Sequence, residues 1–391
     1  MKKNFLKVVA LSCATVLAFV GCSKEESGHN GLNQGAEAAL KISIGNPNQV
    51  QSRAVEAEDG SAIGDVTVLI TNADNRIINK YWYPSTTALG TASGDGNIKT
   101  TTLAKRVYIV GNMSETNSVE SGIFASVSTL SAAQALLYNL ADIDAENLPI
   151  YGASGSDLAF VNVSGEMTAS TTVTMELIPA RVDVYVNNNM TDYAQADAVE
   201  LDGVGVIFSA KQSYLFPNAG GFVAPYAVAS NYFASGIVGY PGQVSAEHTE
   251  HTALFGEWAD NSSDSWASSP GVSSQPSGFL SQFSKTFYVF PGEEKNLIVA
   301  AKSTFAAGNA EFAGSSKYYP VHFNTADVGN VSLENGKRYV LSINLNGDAN
   351  DGTGGGGTDN PEIPVTSSYI TVTLIPASWE VVEITDPKEF E

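Results

Sequence analysis

One strand pattern occurs twice in this chain. The segments "TVTMELIPARVDVYV" (172–186) and "YITVTLIPASWEVVEI" (369–384) each carry an alternating Val/Thr run into Leu-Ile-Pro-Ala, then resume with alternating apolar residues. Alternation with period two puts the apolar side chains on one face of an extended strand. A helix cannot use that pattern, so both segments must find a sheet. Proline brings no N–H to a ladder, so it argues against one continuous strand. The first copy leads into more protein. The second follows a glycine-rich stretch and leads to the end of the sequence, where a kink is expected at Pro376.

The rest of the chain reads as β in the same way. "AALKISIG" sets Leu40, Ile42 and Ile44 against Lys41 and Ser43, the period of a half-buried strand. The polar run "NPNQVQSRAVEAEDGS" after it is an exposed loop. "AIGDVTVLITNADNRIINKYWY" predicts two strands around an Asn/Asp turn, and "KTTTLAKRVYIVGN" and "LPIYGAS" predict more. Between them "STLSAAQALLYNLADI" (128–143) is Ala/Leu-rich behind a Ser/Thr cap and predicts one short helix. A second block repeats the plan with "VDVYVNN", "AVELDGVGVIFSA", "KTFYVFP", "KNLIVAAKS", "KYYPVHFN" and "GKRYVLSINLNG". The expected fold is mainly β, as two tandem β-sandwich domains with one short helix in the first, spanning 54–180 and 181–346 of the 391 residues. The region 212–284 reads as long loops rich in Tyr, Phe, Ser and Gly. It predicts aromatics that pin loops to the sandwich, or else a binding surface. A flexible tether (347–368) and a final strand segment (369–391) complete the order.

The N-terminus reads as an export signal over 1–21: Lys2 and Lys3, an apolar run, then Gly21-Cys22. A small residue before a cysteine resembles the lipobox of bacterial lipoproteins, which makes Cys22 the acylated residue and a lipid the membrane anchor. An ordinary signal peptide cut nearby is the alternative. The acidic "SKEE" after it resembles short signals that send lipoproteins to the cell surface. The two cysteines are Cys13 and Cys22, so no disulfide can staple the body and no thiol there can serve as nucleophile or ligand.

The formal net charge is −21 without a Lys/Arg cluster, which argues against nucleic acid as a partner. Residues that could carry chemistry are few. "EHTEH" places His248 and His251 three apart but matches no full metalloprotease spacing, so a solvated acidic loop is the better reading. Asp348, Asn350 and Asp351 lack the distant bidentate glutamate of a calcium loop, and linker composition explains them. No serine stands in a Gly-x-Ser-x-Gly elbow, and Gly354 to Gly357 neither follow a strand nor open a helix. The expectation is a non-enzyme with no catalytic residue, metal or cofactor.

Taken in order, the lipobox at Cys22, a strand, a loop arginine, "KRVYIVGN", "LPIYG", "LIPARVDVYV" and "GKRYVLSINLNG" resemble the fimbrillins of Bacteroidales, the FimA-like subunits of type V pili. The resemblance implies transthyretin-like, Greek-key sandwiches and a subunit of a cell-surface fimbrium that contributes to adhesion. It implies transit as a lipoprotein precursor to the outer membrane. An Arg-specific protease then cuts after the first strand, between Arg53 and Ala54, so that 22–53 is a propeptide carrying a removable strand at 38–45 with Leu40, Ile42 and Ile44. The C-terminal strand of another copy or a related subunit fills the vacated place, donating Ile370, Val372, Leu374, Trp379 and Val381. Among the five arginines, Arg53 alone follows a separable strand in a loop. Two rival readings remain. The chain is a monomeric surface lipoprotein whose aromatic loops bind host glycan or protein, or a tip or anchor subunit of a fimbria. The C-terminal strand can also fold back onto its own sandwich.

Overall fold

The strands that the alternation predicts form, and several of their partners lie far away in sequence. The structure is a computed structural model. It describes residues 35–45, 63–113, 119, 122–143, 147–188, 199–224, 232–235, 259–260, 283–292, 297–305, 316–325, 328–346, 356–359 and 370–377. In chain order the first half contains β1 (Glu37–Gly45), β2 (Val66–Asn72), β3 (Ile77–Tyr83), α1 (Thr86–Gly94), β4 (Lys99–Thr101), β5 (Ala104–Gly111) and α2 (Leu130–Ala133). It continues with β6 (Leu137–Asn139), a 3-10 turn (Leu140–Asp142), β7 (Ile150–Ser154), β8 (Val161–Val163) and β9 (Glu166–Leu177). Eight of these strands make one sheet in the order β3-β2-β5-β7-β9-β1-β4, with β8 also on β9. The two ends of that sheet meet through side chains. Tyr81 Oη donates to the Lys99 carbonyl, and Thr100 Oγ1 donates to Asn79 Oδ1 at 2.8 Å. The sheet thus curls around its core.

Leu177 ends β9, and after Ile178-Pro179 the chain enters β10 (Ala180–Asn188) of the second half. There follow β11 (Val199–Ala210), β12 (Gln212–Asn218), β13 (Gly221–Val223), β14 (Tyr232–Ser235), β15 (Ala259–Asp260) and β16 (Phe283–Val289). The last are β17 (Ile298–Phe305), β18 (Ser316–His322), β19 (Arg338–Leu345) and β20 (Ile370–Ala377). They form a five-stranded sheet β15-β16-β10-β19-β20 and a four-stranded sheet β14-β11-β17-β18. Val182, Val184, Val186, Phe287, Val289, Val299, Val321, Leu341 and Ile343 are all buried in the apolar cluster that also contains the first-half core.

The two halves share a corresponding plan. β1 runs parallel to β9, and β10 runs parallel to β19, so the first strand of each half lies beside a strand from late in that half. β7 is antiparallel to β9, and β20 is antiparallel to β19. In the second half the C-terminal strand therefore takes the place that β7 holds in the first.

Three sequence expectations are corrected. The helix expected over 128–143 stops after α2, because Leu137–Asn139 leave it to pair with β12 and Leu140 turns into the core with no exposure. Tertiary pairing overrides the Ala/Leu propensity. A helix appears instead at α1, capped by Ser85 Oγ accepting from the Ala88 N–H at 3.1 Å. The region 212–284 is not loop from its start: β12 and β13 pair with each other, and β12 with β6, as a three-stranded sheet joining the halves. Phe216 of β12 is buried edge-on against Tyr108, Phe124 and Tyr151, and Phe222 meets Tyr151. These two aromatics pin, as the first of the two sequence readings holds. Tyr226, Tyr240 and Trp258 lie outside the described residues. Gly35–Glu391 form one compact unit.

Glycine at position 152 is required by close approach. A Cβ there would come within 2.5 Å of Met175 Sδ and 2.6 Å of the Thr174 carbonyl oxygen on β9. Gly152→Ala is expected to cost about 1–3 kcal/mol by overpacking, read as a lower midpoint in urea unfolding with the slope unchanged.

Candidate functional site

β1 is an interior strand, although it begins the described chain. Leu40 is fully buried and Ile42 is 4% exposed; Ile44 is half-buried, while Lys41 and Ser43 face solvent. The face expected from the alternation is the face that enters the core. Along one edge, Ala38 through Gly45 pair in parallel with Met167 through Thr174 of β9. The other edge is less regular. Glu37–Ala39 pair antiparallel with β4. The Ala36 N–H donates to Thr102 Oγ1 at 3.1 Å, and the Leu40 N–H donates to the Ile98 carbonyl at 2.9 Å. At Ile42 a side chain replaces the strand: its N–H donates to Ser93 Oγ at 2.8 Å, and Ser93 Oγ donates back to the Ile42 carbonyl at 3.1 Å.

The walls of this slot differ in how firmly they are built. β9 is held on its far side by β7 and β8. Among the described residues β4 has no ladder partner except β1, and the Tyr81 and Thr100 side-chain bonds link it to β3. Lys99 of β4 and Glu166 of β9 are 3.1 Å apart, linking the two neighbours of β1. That pair is well exposed and worth at most about 1 kcal/mol. Each buried apolar side chain of β1 is worth roughly 1.5–3 kcal/mol, so apolar burial and the ladder with β9 dominate its retention. Near the seam Tyr83 is pushed up to about 12 by burial and then by Tyr81, so it stays neutral at any ordinary pH.

The C-terminal strand is an edge strand. β20 pairs with β19 from Leu345↔Ile370 to Arg338↔Ala377. The expected kink at Pro376 is absent: the strand continues through it, opposite Tyr339, because an edge position tolerates a residue with no N–H to give. Val372 is partly buried against the core. Trp379 and Val381 lie outside the described residues, as do Cys22, Arg53, Ala54, His248, His251, Asp348, Asn350 and Asp351. Among the described residues no group of three or more His, Cys, Asp or Glu could hold a metal ion.

Four arginines are built into the fold. Arg181 and Arg338 are buried around Asp183: Arg181 Nε donates to Oδ1 at 2.9 Å and Arg338 Nε to Oδ2 at 2.7 Å, while Thr286 Oγ1 adds a bond to Oδ1 at 2.7 Å. Arg106 pairs with Asp157 at 3.1 Å from within β5. Arg76 closes the β2–β3 turn, its N–H donating to Asn72 Oδ1.

Residues 38–202 match the family of FimA major fimbrial subunit proteins, and residues 180–379 match the C-terminal domain of FimA-like major fimbrial subunit proteins. The chain belongs to the FimA-like major fimbrial subunit family. It is a structural subunit of a cell-surface fimbrium that assembles with other fimbrial subunits. The family match begins inside β1 and ends just past β20, so the matched residues take in nearly all of β1 and the whole of β20.

No curated protein matches the sequence. Solved structures do. A candidate cell adhesion protein from Bacteroides eggerthii is 24% identical with a TM-score of 0.64, the match covering 90% of this chain and 98% of that one. A fimbrilin from Porphyromonas gingivalis is 15% identical with a TM-score of 0.53, covering 90% and 99%. A candidate cell adhesion protein from Parabacteroides distasonis is 15% identical with a TM-score of 0.50, covering 90% and 98%. At these identities the likeness concerns the fold: fimbrilin-like, mainly β, with sandwich domains.

The sequence reading missed Ser93, Phe216 as an inter-half wedge, and the Asp183 cluster. The signal for α1 was there in Ser85 and Gly96, a cap before and a glycine after, but Thr and Gly within the segment weaken it.

Proposed function

We propose that this fimbrial subunit assembles by strand replacement. The precursor is acylated at Cys22 and carried to the outer membrane. An Arg-specific protease cuts between Arg53 and Ala54, and the strand at 38–45 departs. The C-terminal segment 369–391 of another copy, led by Ile370, Val372 and Leu374 and followed by Trp379 and Val381, then occupies the slot. The mature subunit is made of 54–180 and 181–346, with 347–368 as the tether to the donor.

The observation that carries this reading is the position of β1. It lies inside the sheet between β9 and β4, with Leu40 and Ile42 buried, yet one cut in 46–62 would free it. Its loss would uncover an unpaired edge of β9 and two apolar sockets, a surface that invites another strand. Arg53 is favoured as the cut because Arg181 and Arg338 are buried and Arg76 and Arg106 are engaged within a turn and a strand.

A self-closed monomer that binds glycan or host protein is favoured by one observation, the pairing of β20 with its own β19. In the assembling reading that pairing is the resting state of the donor. Brief treatment of purified precursor with an Arg-specific protease separates the two, read on an unboiled SDS gel. The wild type is expected to give a ladder, and Arg53→Ala to remain a single band of full length. A wild type that is trimmed without forming a ladder supports the monomeric binder.

A further inference from the structure

Ser93 stands where a strand should be. The segment 98–102 accompanies β1 from Ala36 to Leu40, as the Thr102 N–H to Ala36 carbonyl bond (2.9 Å) and the Leu40 to Ile98 bond show. It cannot go further, because the chain preceding it is a helix. α1 ends in a left-handed glycine, Gly96 at φ +68, with the Asn97 N–H bonded to the Ala92 carbonyl at 2.8 Å and the Gly96 N–H to the Ser93 carbonyl at 3.3 Å. This paired closure fixes the last turn. The helix buries Thr86, Leu89 and Ser93, spaced to share one face, and that face carries the serine to β1. A hydroxyl both donates and accepts, so one side chain answers both backbone groups of Ile42.

We propose that Ser93 is the register pin of the slot, holding the backbone of whichever strand lies there, β1 before processing and its replacement afterwards. This rests on the strand-replacement reading. On the side away from β9 the even-numbered residues turn their backbone groups outward: Ala36 to Thr102, Ala38 opposite Thr100, Leu40 to Ile98 and Ile42 to Ser93. A strand slipped by one residue would turn its N–H and C=O toward β9 and leave Ser93 facing none. A strand slipped by two would satisfy Ser93 but move every apolar side chain into the next socket. The pin and the sockets together admit one register. The Ser93 hydroxyl bonds to backbone groups, so it is indifferent to the side chain it holds and excludes one residue type, proline. The donor's Pro376 therefore cannot occupy the Ile42 position, and the register that would put it there is forbidden.

The test uses the full chain, nicked at Arg53 with β1 retained and challenged with excess fluorescent peptide of residues 36–45. A second peptide carries an ester in place of the Ile42 amide, which removes that N–H with little change of shape. In the wild type the ester peptide is expected to dissociate about tenfold faster than the amide peptide, the loss of one buried hydrogen bond. In Ser93→Ala the two peptides are expected to dissociate at the same rate, and Ser93→Thr should restore the difference. An equal ester penalty in wild type and Ser93→Ala overturns the proposal, since a merely structural serine would leave that ratio untouched. Hydrogen exchange on the uncut chain gives an independent answer. Ser93→Ala should expose the Ile42 amide while sparing that of Leu40, and unchanged Ile42 protection refutes the pin. A nicked wild type that takes up neither peptide removes the strand-replacement reading, and the exchange data on the uncut chain then decide the role of Ser93 alone.

Discussion

A chain ending at Ser368 is expected to accept a neighbour's strand and to offer none. It keeps β1 to β19, the slot and the segment containing Arg53, and it lacks β20 and everything after it. Treated with an Arg-specific protease by itself, it should give no ladder on an unboiled gel. Mixed with wild-type precursor it should act as a terminator, shortening the ladder in proportion to its share of the mixture. The dose dependence matters more than the loss itself, because a misfolded truncation would also fail to assemble but would leave wild-type chains to grow. Removing β20 strips only an edge strand, so circular dichroism of the truncated chain should still show the β signal. Ladders of wild-type length from the truncated chain would end the proposal that 369–391 is the donor.

The second large effect is at Asp183. It is 2% exposed and answers Arg181, Arg338 and Thr286 at once, with Arg338 entirely buried. Removing one member of such a group leaves cationic side chains in a site with little water, and breaking a buried ion pair typically costs about 3–5 kcal/mol. Asp183→Asn is expected to lose that much in urea unfolding, although the shape is nearly unchanged. The cluster joins β10, β16 and β19, so proteolysis of the variant should begin in the second half. A loss below about 1 kcal/mol, the range of an exposed pair, would contradict the burial described here.

Much of this architecture was legible because alternation is a local signal. Leu40, Ile42 and Ile44 declare a strand and its inner face without any partner, and Leu177 to Ala180 declare a junction through their proline. The β2–β3 hairpin was legible from its Asn/Asp turn, but long-range pairing was not. β1 finds β9 more than a hundred residues later, in parallel, and nothing in "AALKISIG" names that neighbour. Asp183 stands between two valines, and the partner that accompanies its burial, Arg338, is 155 positions away. The helix expected at 128–143 failed for the same reason, since Leu137–Asn139 answer to β12 and not to their own neighbours. Ser93 is one serine among many until a helix of nine residues turns it toward a backbone 51 positions earlier.

The direct passage from β9 to β10 has a mechanical consequence. In a fibre of the proposed kind, tension enters a subunit along the strand in its slot and leaves through the tether after β19. The force crosses from the slot strand to β9, runs covalently through Ile178-Pro179 into β10, and crosses to β19. Both crossings are parallel ladders pulled lengthwise, so their bonds share the strain together and do not open one by one. Most of the remaining sheet stays out of the line of pull, and the first Leu-Ile-Pro-Ala is the short rope on which each subunit hangs.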